Sequence, residues 1–171
     1  MVLFNLFGAG PRRETMPLFP LGTVLFPGSL LPLRIFEVRY MDMAKACLKD
    51  GTPFGVCLIR EGEEVGAPAV PEPIGCVARI AECDMEELGI LKVKAEGLER
   101  FRIVSSEVNR HGLIVGEVER LDTEAQVTQA PGLAEILPLR NDVKQKLLEL
   151  TDATLRLAIL HKFLRQQRLL P

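Results

Sequence analysis

Four cysteines, two histidines, a run of carboxylates and a set of arginines are the residues of this chain whose chemistry is worth testing against their spacing. Cys47, Cys57, Cys76 and Cys83 are separated by nine, eighteen and six residues. Zinc knuckles and redox dithiols need gaps of about two to four residues, so the thiols read as buried, free core residues. His111 and His161 stand in no ligand-like cluster, which leaves metal hydrolysis without ligands. Ser105 and Ser106 lie near His111 in sequence, but a hydroxyl close to an imidazole is common and reads as ordinary strand chemistry. The acidic run Glu82, Asp84, Glu86 and Glu87 lacks the sharp-turn glycine of a calcium loop and reads as a solvated hairpin turn. Arg34, Arg39, Arg100 and Arg102 would form an anion site only if the fold gathered them. The reading adopted is ion pairing with Glu37, Glu96 and Glu99 on the surface, at ~0 to 1 kcal/mol each. Phosphate-cradling glycine loops are absent. The residues therefore point to no catalytic group, no cofactor and no metal.

Composition narrows the partners. Of 171 residues, 47% are hydrophobic and 26% charged, which is the balance of a folded globular chain. A net charge of −2 gives no general attraction to nucleic acid or to an anionic membrane. With no Trp and one Tyr, base-stacking platforms are not expected either. The opening "MVLFNLFGAG" lacks the basic start of an export signal, and no apolar run reaches the roughly 18 residues of a membrane span. A cytoplasmic location is expected.

The elements that must position these residues follow from punctuation and periodicity. Residues 1–15 read as a loosely ordered extension: Phe4, Leu6 and Phe7 form an apolar flap, "GAGPRRET" is linker chemistry, and Met16 is an alternative start. From Met16, Pro17, Pro20, Pro27 and Pro32 remove backbone donors, so strands are predicted between them, at "GTVLF" and "LLPLRIF". Pro27-Gly28 is the turn, and Pro32 places the second strand at an edge or bulge. A helix follows, with Phe36, Tyr40, Met43, Ala44 and Cys47 on its buried stripe and Gly51 as its cap. Further strands are predicted at 54–60, 74–83, 89–97, 99–108 and 113–121, the last two joined as an antiparallel hairpin through Asn109, His111 and Gly112.

After Leu121 the strand alternation stops. A polar connector, "DTEAQVTQAPG", leads into a helical tail in which Val143, Leu147 and Leu150 form one stripe and Leu157, Leu160 and Leu164 another. Thr151 or Asp152 is the N-cap between them. The second helix is so broadly apolar that the barrel or another copy of the chain must cover it.

The segments "PLFPLGTVLFPGSLLPLRIFEVRY", "FGVCLIR", "IGCVARI", "VKAEGLERFRI" and "VGEVERL", taken together and in order, resemble the N-terminal substrate-binding domain of the ATP-dependent protease Lon. The resemblance covers roughly residues 16–121. It implies a PUA-like β pseudo-barrel of about six strands with one early helix, an α+β fold that is mainly β. A helical C-terminal subdomain would occupy 122–171. It further implies a non-enzymatic, stand-alone module that binds polypeptide segments or another protein, with a homodimer through the helical tail. Arg34, Glu37 and Arg39 are the expected polypeptide contacts. An RNA-binding PUA-like domain, or a small-molecule enzyme using the barrel mouth, are the alternatives.

Overall fold

The computed structural model of the chain describes residues 11–121 and 137–168. The expected apolar flap at Phe4, Leu6 and Phe7 and the polar connector lie outside the described residues. The strands are β1 (Arg13–Leu21), β2 (Leu30–Ile35), β3 (Phe54–Glu61), β4 (Val70–Pro71), β5 (Ile74–Glu87), β6 (Ile90–Val108) and β7 (Ile114–Arg120). Among the described residues three helices accompany them: α1 (Val38–Asp50), α2 (Asn141–Glu149) and α3 (Ala153–Gln166). The architecture is mainly β, with one early helix and a helical C-terminal part, as the sequence predicts.

The strands are hydrogen-bonded in the order β1-β7-β6-β5-β3-β4, and a parallel β1–β3 pairing closes the ring. The other pairings are antiparallel. β2 stands off this path and pairs with β6.

Two strand expectations need correction. The first strand is "RETMPLFPL" and not "GTVLF", so it begins before Met16 and contains both Pro17 and Pro20. These prolines are tolerated because β1 changes partners. Pro17 lies opposite Val115 of β7 before the β3 pairing begins at Leu18, and Pro20 lies opposite Cys57 of β3 after the β7 pairing has ended. Each proline therefore has a strand on one side only, where a missing N–H costs no ladder bond if it faces away. "GTVLF" is instead irregular chain that still buries Val24, Leu25 and Phe26.

The second correction concerns 89–97 and 99–108, which form one 19-residue strand, β6. Gly97, at the expected boundary, does not end the strand. It is a point of close approach: a Cβ there would stand 2.1 Å from the Phe26 carbonyl oxygen. Gly28 N donates to Gly97 O at 2.8 Å and Gly97 N to Ser29 O at 2.9 Å, which ties the Pro27-Gly28 turn onto β6. The extra residue beside Gly97 is absorbed by a register shift against β5 between Cys76 and Ala78. Because β6 is so long, its first half carries β2 and its second half β7.

Helix α1 follows its predicted stripe from Tyr40 onward. Tyr40, Met43, Ala44 and Cys47 are buried, and Gly51 caps the helix at φ 64° with its N–H on the Cys47 carbonyl. Tyr40 stacks on Phe19 with ring centroids 4.1 Å apart, which fixes α1 against β1. Phe36, expected on the same stripe, precedes the helix and is exposed. Its spacing is helical, but its backbone is not. Of the four cysteines, which are all free, Cys47, Cys57 and Cys76 are buried as expected and Cys83 is exposed.

The helical tail packs on the barrel through Val24, Phe26, Leu58 and Ile74 on one side and Leu139, Leu147, Leu148 and Leu160 on the other. Asp152 caps α3, accepting from the N–H groups of Thr154 and Leu155. Of the predicted second stripe, Leu160 is buried and Leu164 half-buried, but Leu157 is exposed. Two buried polar side chains reinforce the contact. Arg100 donates to Leu148 O at 3.0 Å and Leu150 O at 3.2 Å, and Gln145 Nε2 donates to Ile74 O at 2.9 Å. Arg100, expected on the surface, is thus an internal donor to the carbonyls that end α2.

Candidate functional site

Where β2 turns into α1, the barrel wall opens. The ends of β1 and β2, the start of α1 and the loop before β4 surround a cleft of about 320 Å³. Phe19, Leu21, Leu31, Leu33 and Tyr40 give it an apolar lining that continues into the main core. Phe36 and Val65 stand on its lip at 56% and 54% exposure. A second cleft of about 490 Å³ shares Phe36 and Glu37 with the first and adds Val38, which is 74% exposed, and Pro68. Phe36 is therefore the midpoint of an apolar shelf that runs across both clefts.

The shelf is built by local chain geometry. Ile35 ends β2 facing the core, so the next side chain, Phe36, is turned out. Val38 opens α1 on its solvent side, one residue after the Glu37 N-cap and two before the buried Tyr40. Val65 is carried by the segment between β3 and β4, where Gly62 and Gly66 adopt φ of 98° and 97°. Exposing three large apolar side chains around one opening forgoes hydrophobic stabilisation of about 25 cal/mol per Å² for whatever area a partner would cover.

The three expected contact residues are all at this opening, in different states. Arg34 and Glu37 line the first cleft, and Glu37 and Arg39 line the second. Arg34 is largely exposed and pairs with Glu87 at 3.4 Å. Arg39 is nearly covered: it pairs with Glu37 at 3.0 Å, donates to Gly112 O at 3.0 Å and lies 4.7 Å from the centre of the Tyr40 ring. It ties α1 to the β6–β7 turn and presents little to a partner. Burial pushes the Tyr40 hydroxyl pKa up, with the Arg39 charge opposing the shift. The apolar members Phe36, Val38 and Val65 are the ones sequence reasoning missed. The signal was present at Phe36, as a large aromatic one step outside the helix.

Other candidate groups do not converge. Arg100 is internal, while Arg34 pairs with Glu87; Glu96 and Glu99 pair with Arg79 and Arg120. Ser105 Oγ lies 3.5 Å from Glu117 Oε2, and the imidazole of His111 faces Arg110, with Nε2 3.0 Å from its Nε. Glu82 and Glu86 pair across the β5–β6 hairpin with Lys94 and Lys92 at 2.7 and 2.5 Å, so the acidic run is an ion-paired arm. Among the described residues, no group of three or more His, Cys, Asp or Glu side chains is placed to hold a metal ion. Among them also, no helix is long and apolar enough to cross a membrane.

A ring of mainly antiparallel strands, with one early helix and a helical C-terminal part, defines a class of small β-barrel domains. Comparison with known proteins places the chain within it: residues 15–132 match the family model described as the ATP-dependent protease La (LON) substrate-binding domain, and the chain belongs to that family. It is 31% identical over 93 residues to Lon protease 2 of Myxococcus xanthus, a match covering 53% of this chain and 11% of that much longer protein. The crystal structure of a Lon N-terminal domain protein from Xanthomonas campestris superposes with a TM-score of 0.75 at 34% identity, over 87% of this chain and 98% of that one. The N-terminal domain of the Mycobacterium avium complex Lon protease shares the fold, with a TM-score of 0.63 at 16% identity over 86% and 96% of the two chains.

Proposed function

We propose that this protein is a non-enzymatic, cytoplasmic polypeptide-binding module that receives exposed apolar segments on the shelf centred on Phe36. The observation that carries the reading is the grouping of Phe36, Val38 and Val65, three large apolar side chains exposed around two adjoining clefts, the first of which is lined by core residues. An apolar centre with a charged rim is the usual anatomy of a protein-recognition surface. Membership of a substrate-binding domain family supports the same reading. Arg34 and Glu37 form the rim, and Arg39 holds the helix that carries Val38. The assigned role is binding alone, with no bond made or broken.

The test is a titration with a fluorescein-labelled Gly/Ser peptide that carries a Phe-Leu-Phe core. Saturable binding is expected, weakened about tenfold by Phe36→Ser, as for loss of a central aromatic contact. No binding by the wild-type protein, or equal binding by the variant, overturns the proposal. A homodimer through the tail belongs to the same reading, supported by Leu155 and Leu157 at 47% and 50% exposure on α3. Sedimentation velocity should show a dimer that Leu155→Ser/Leu157→Ser dissociates; a wild-type monomer at high concentration removes this part.

A further inference from the structure

A further concavity lies beside the shelf, where α2 meets the barrel. It is a cleft of about 760 Å³ between the β3–β5 region and the first turns of α2. Glu64 lines both this cleft and the shelf cleft, so the two are neighbours across the loop that carries Val65.

One wall holds an acceptor with nothing to accept. Gln145 is 3% exposed and lines the cleft. Its Nε2 is committed to Ile74 O at 2.9 Å and Glu149 Oε1 at 3.3 Å. Both partners are acceptors, so the amide cannot be turned over, and the atom left is Oε1. That oxygen is buried and has no hydrogen-bond partner among the described residues.

The surrounding charge has the matching sign. Each basic side chain on the wall already has a carboxylate: Arg60 with Glu61 at 3.9 Å, Arg140 with Asp142 at 3.2 Å and Lys146 with Glu149 at 3.3 Å. Glu63, Glu64 and Glu72 line the same cleft and have no cationic partner within 4.0 Å among the described residues. Glu64 uses one oxygen on Gly22 N at 2.5 Å and keeps the other. Three carboxylates without cations and one unmet amide oxygen call for a ligand that is positively charged and rich in N–H donors. A guanidinium or ammonium side chain has both properties.

We infer that this acidic cleft receives a basic side chain, arginine or lysine, of the same polypeptide whose apolar residues occupy the shelf. The inference rests on the proposed function and sharpens it: the preferred segments place a basic residue a short distance from an apolar core. Glu64, at the boundary, sets the join between the two subsites.

Two measurements decide it. In the first, the Phe-Leu-Phe peptide is made in pairs that differ only by Arg or Gln, placed two to eight residues from the core. At low ionic strength the better-spaced Arg peptides should bind about fivefold more tightly than their Gln partners, a gain that added salt erodes. Glu63→Gln/Glu72→Gln, two conservative surface changes, should abolish the preference and leave the Gln peptides unaffected. Equal binding of every pair to the wild-type protein overturns the inference while leaving the shelf reading intact; failure of all the peptides removes the shelf reading. The second measurement does not involve the shelf. Acetyl-arginine methylamide should shift the Gln145 side-chain amide signal in proton–nitrogen spectra of the wild-type protein and not of the double variant. An unmoved signal at saturating probe overturns the inference independently.

Discussion

Among the described residues, one apolar face of the barrel is covered by the helical tail and another is exposed at the shelf. Under the helical tail, Val24, Phe26, Leu58 and Ile74 meet Leu147, Leu148 and Leu160, and the contact is fixed by the buried donors of Arg100 and Gln145. At the shelf, Phe36, Val38 and Val65 meet solvent, and the charged side chains stand at the edge. The difference teaches how the chain separates a permanent contact from an open one. Inside the permanent contact the polar groups are enclosed and paired, so separating the faces would break those hydrogen bonds as well as wet the leucines. At the shelf Arg39 and Glu37 are already paired with each other and Arg34 stands at the edge, so covering the apolar side chains requires little desolvation of charge, and uncovering them leaves little unpaired.

This contrast can be broken at several points. Leu147→Ala, at 2% exposure on the covered face, should lower unfolding stability by about 2–5 kcal/mol in urea titrations, the range for a large-to-small core change. Arg100→Met keeps the volume but removes the donors to Leu148 O and Leu150 O, and a loss of about 2–3 kcal/mol is expected. Arg102→Met, exposed on the same strand, should stay within about 0.5 kcal/mol. Equal effects from the two arginines would show that the tail contact does not depend on its buried donor.

Alkaline pH probes the core behind both faces. Burial raises the Cys76 pKa from the ordinary 9.0 to about 12 and raises Cys57 further, so in the folded state both thiols stay protonated where the unfolded chain has lost those protons. Stability is therefore fully present below pH 9 and falls as pH rises from 9 toward 12, by about 1.4 kcal/mol per pH unit for each such thiol. Cys76→Ala should flatten that slope in urea titrations. As small a stability effect as that of Arg102→Met belongs to Phe36→Ser, expected within about 0.5 kcal/mol, because the side chain lies outside the core. A large loss there would mean that the shelf is structural.

Much of the fold was legible because period and punctuation are local properties. The stripe Tyr40, Met43, Ala44 and Cys47, the Gly51 cap, the Asp152 cap and the β6–β7 hairpin through Asn109 all stand where the sequence puts them. Local signals failed where a distant partner decided. Pro17 and Pro20 read as strand breakers, yet β1 has a partner on only one side at each. Gly97 read as an end to a strand that β2, β5 and β7 together hold continuous. Arg34, Glu37 and Arg39, read from the sequence as contact residues, stand around the two clefts at the start of α1, and the exposed apolar residues beside them were assigned to the core or passed over.

By itself the sequence determined the class of the domain, since proline spacing, strand alternation and the helical tail are written in residue order and need no partner to be read. Tertiary structure alone decided which apolar residues stay wet and which charges stay unpaired. Phe36 and Tyr40 sit four residues apart on what reads as one stripe, yet Phe36 precedes the helix and is turned out where β2 ends, while Tyr40 is turned inward onto Phe19. Arg100 and Arg102 share a strand, and only the docking of α2 makes the first an internal donor. The physical reason is common to both: burial is set by what arrives from elsewhere in the chain, and residue type states only a preference.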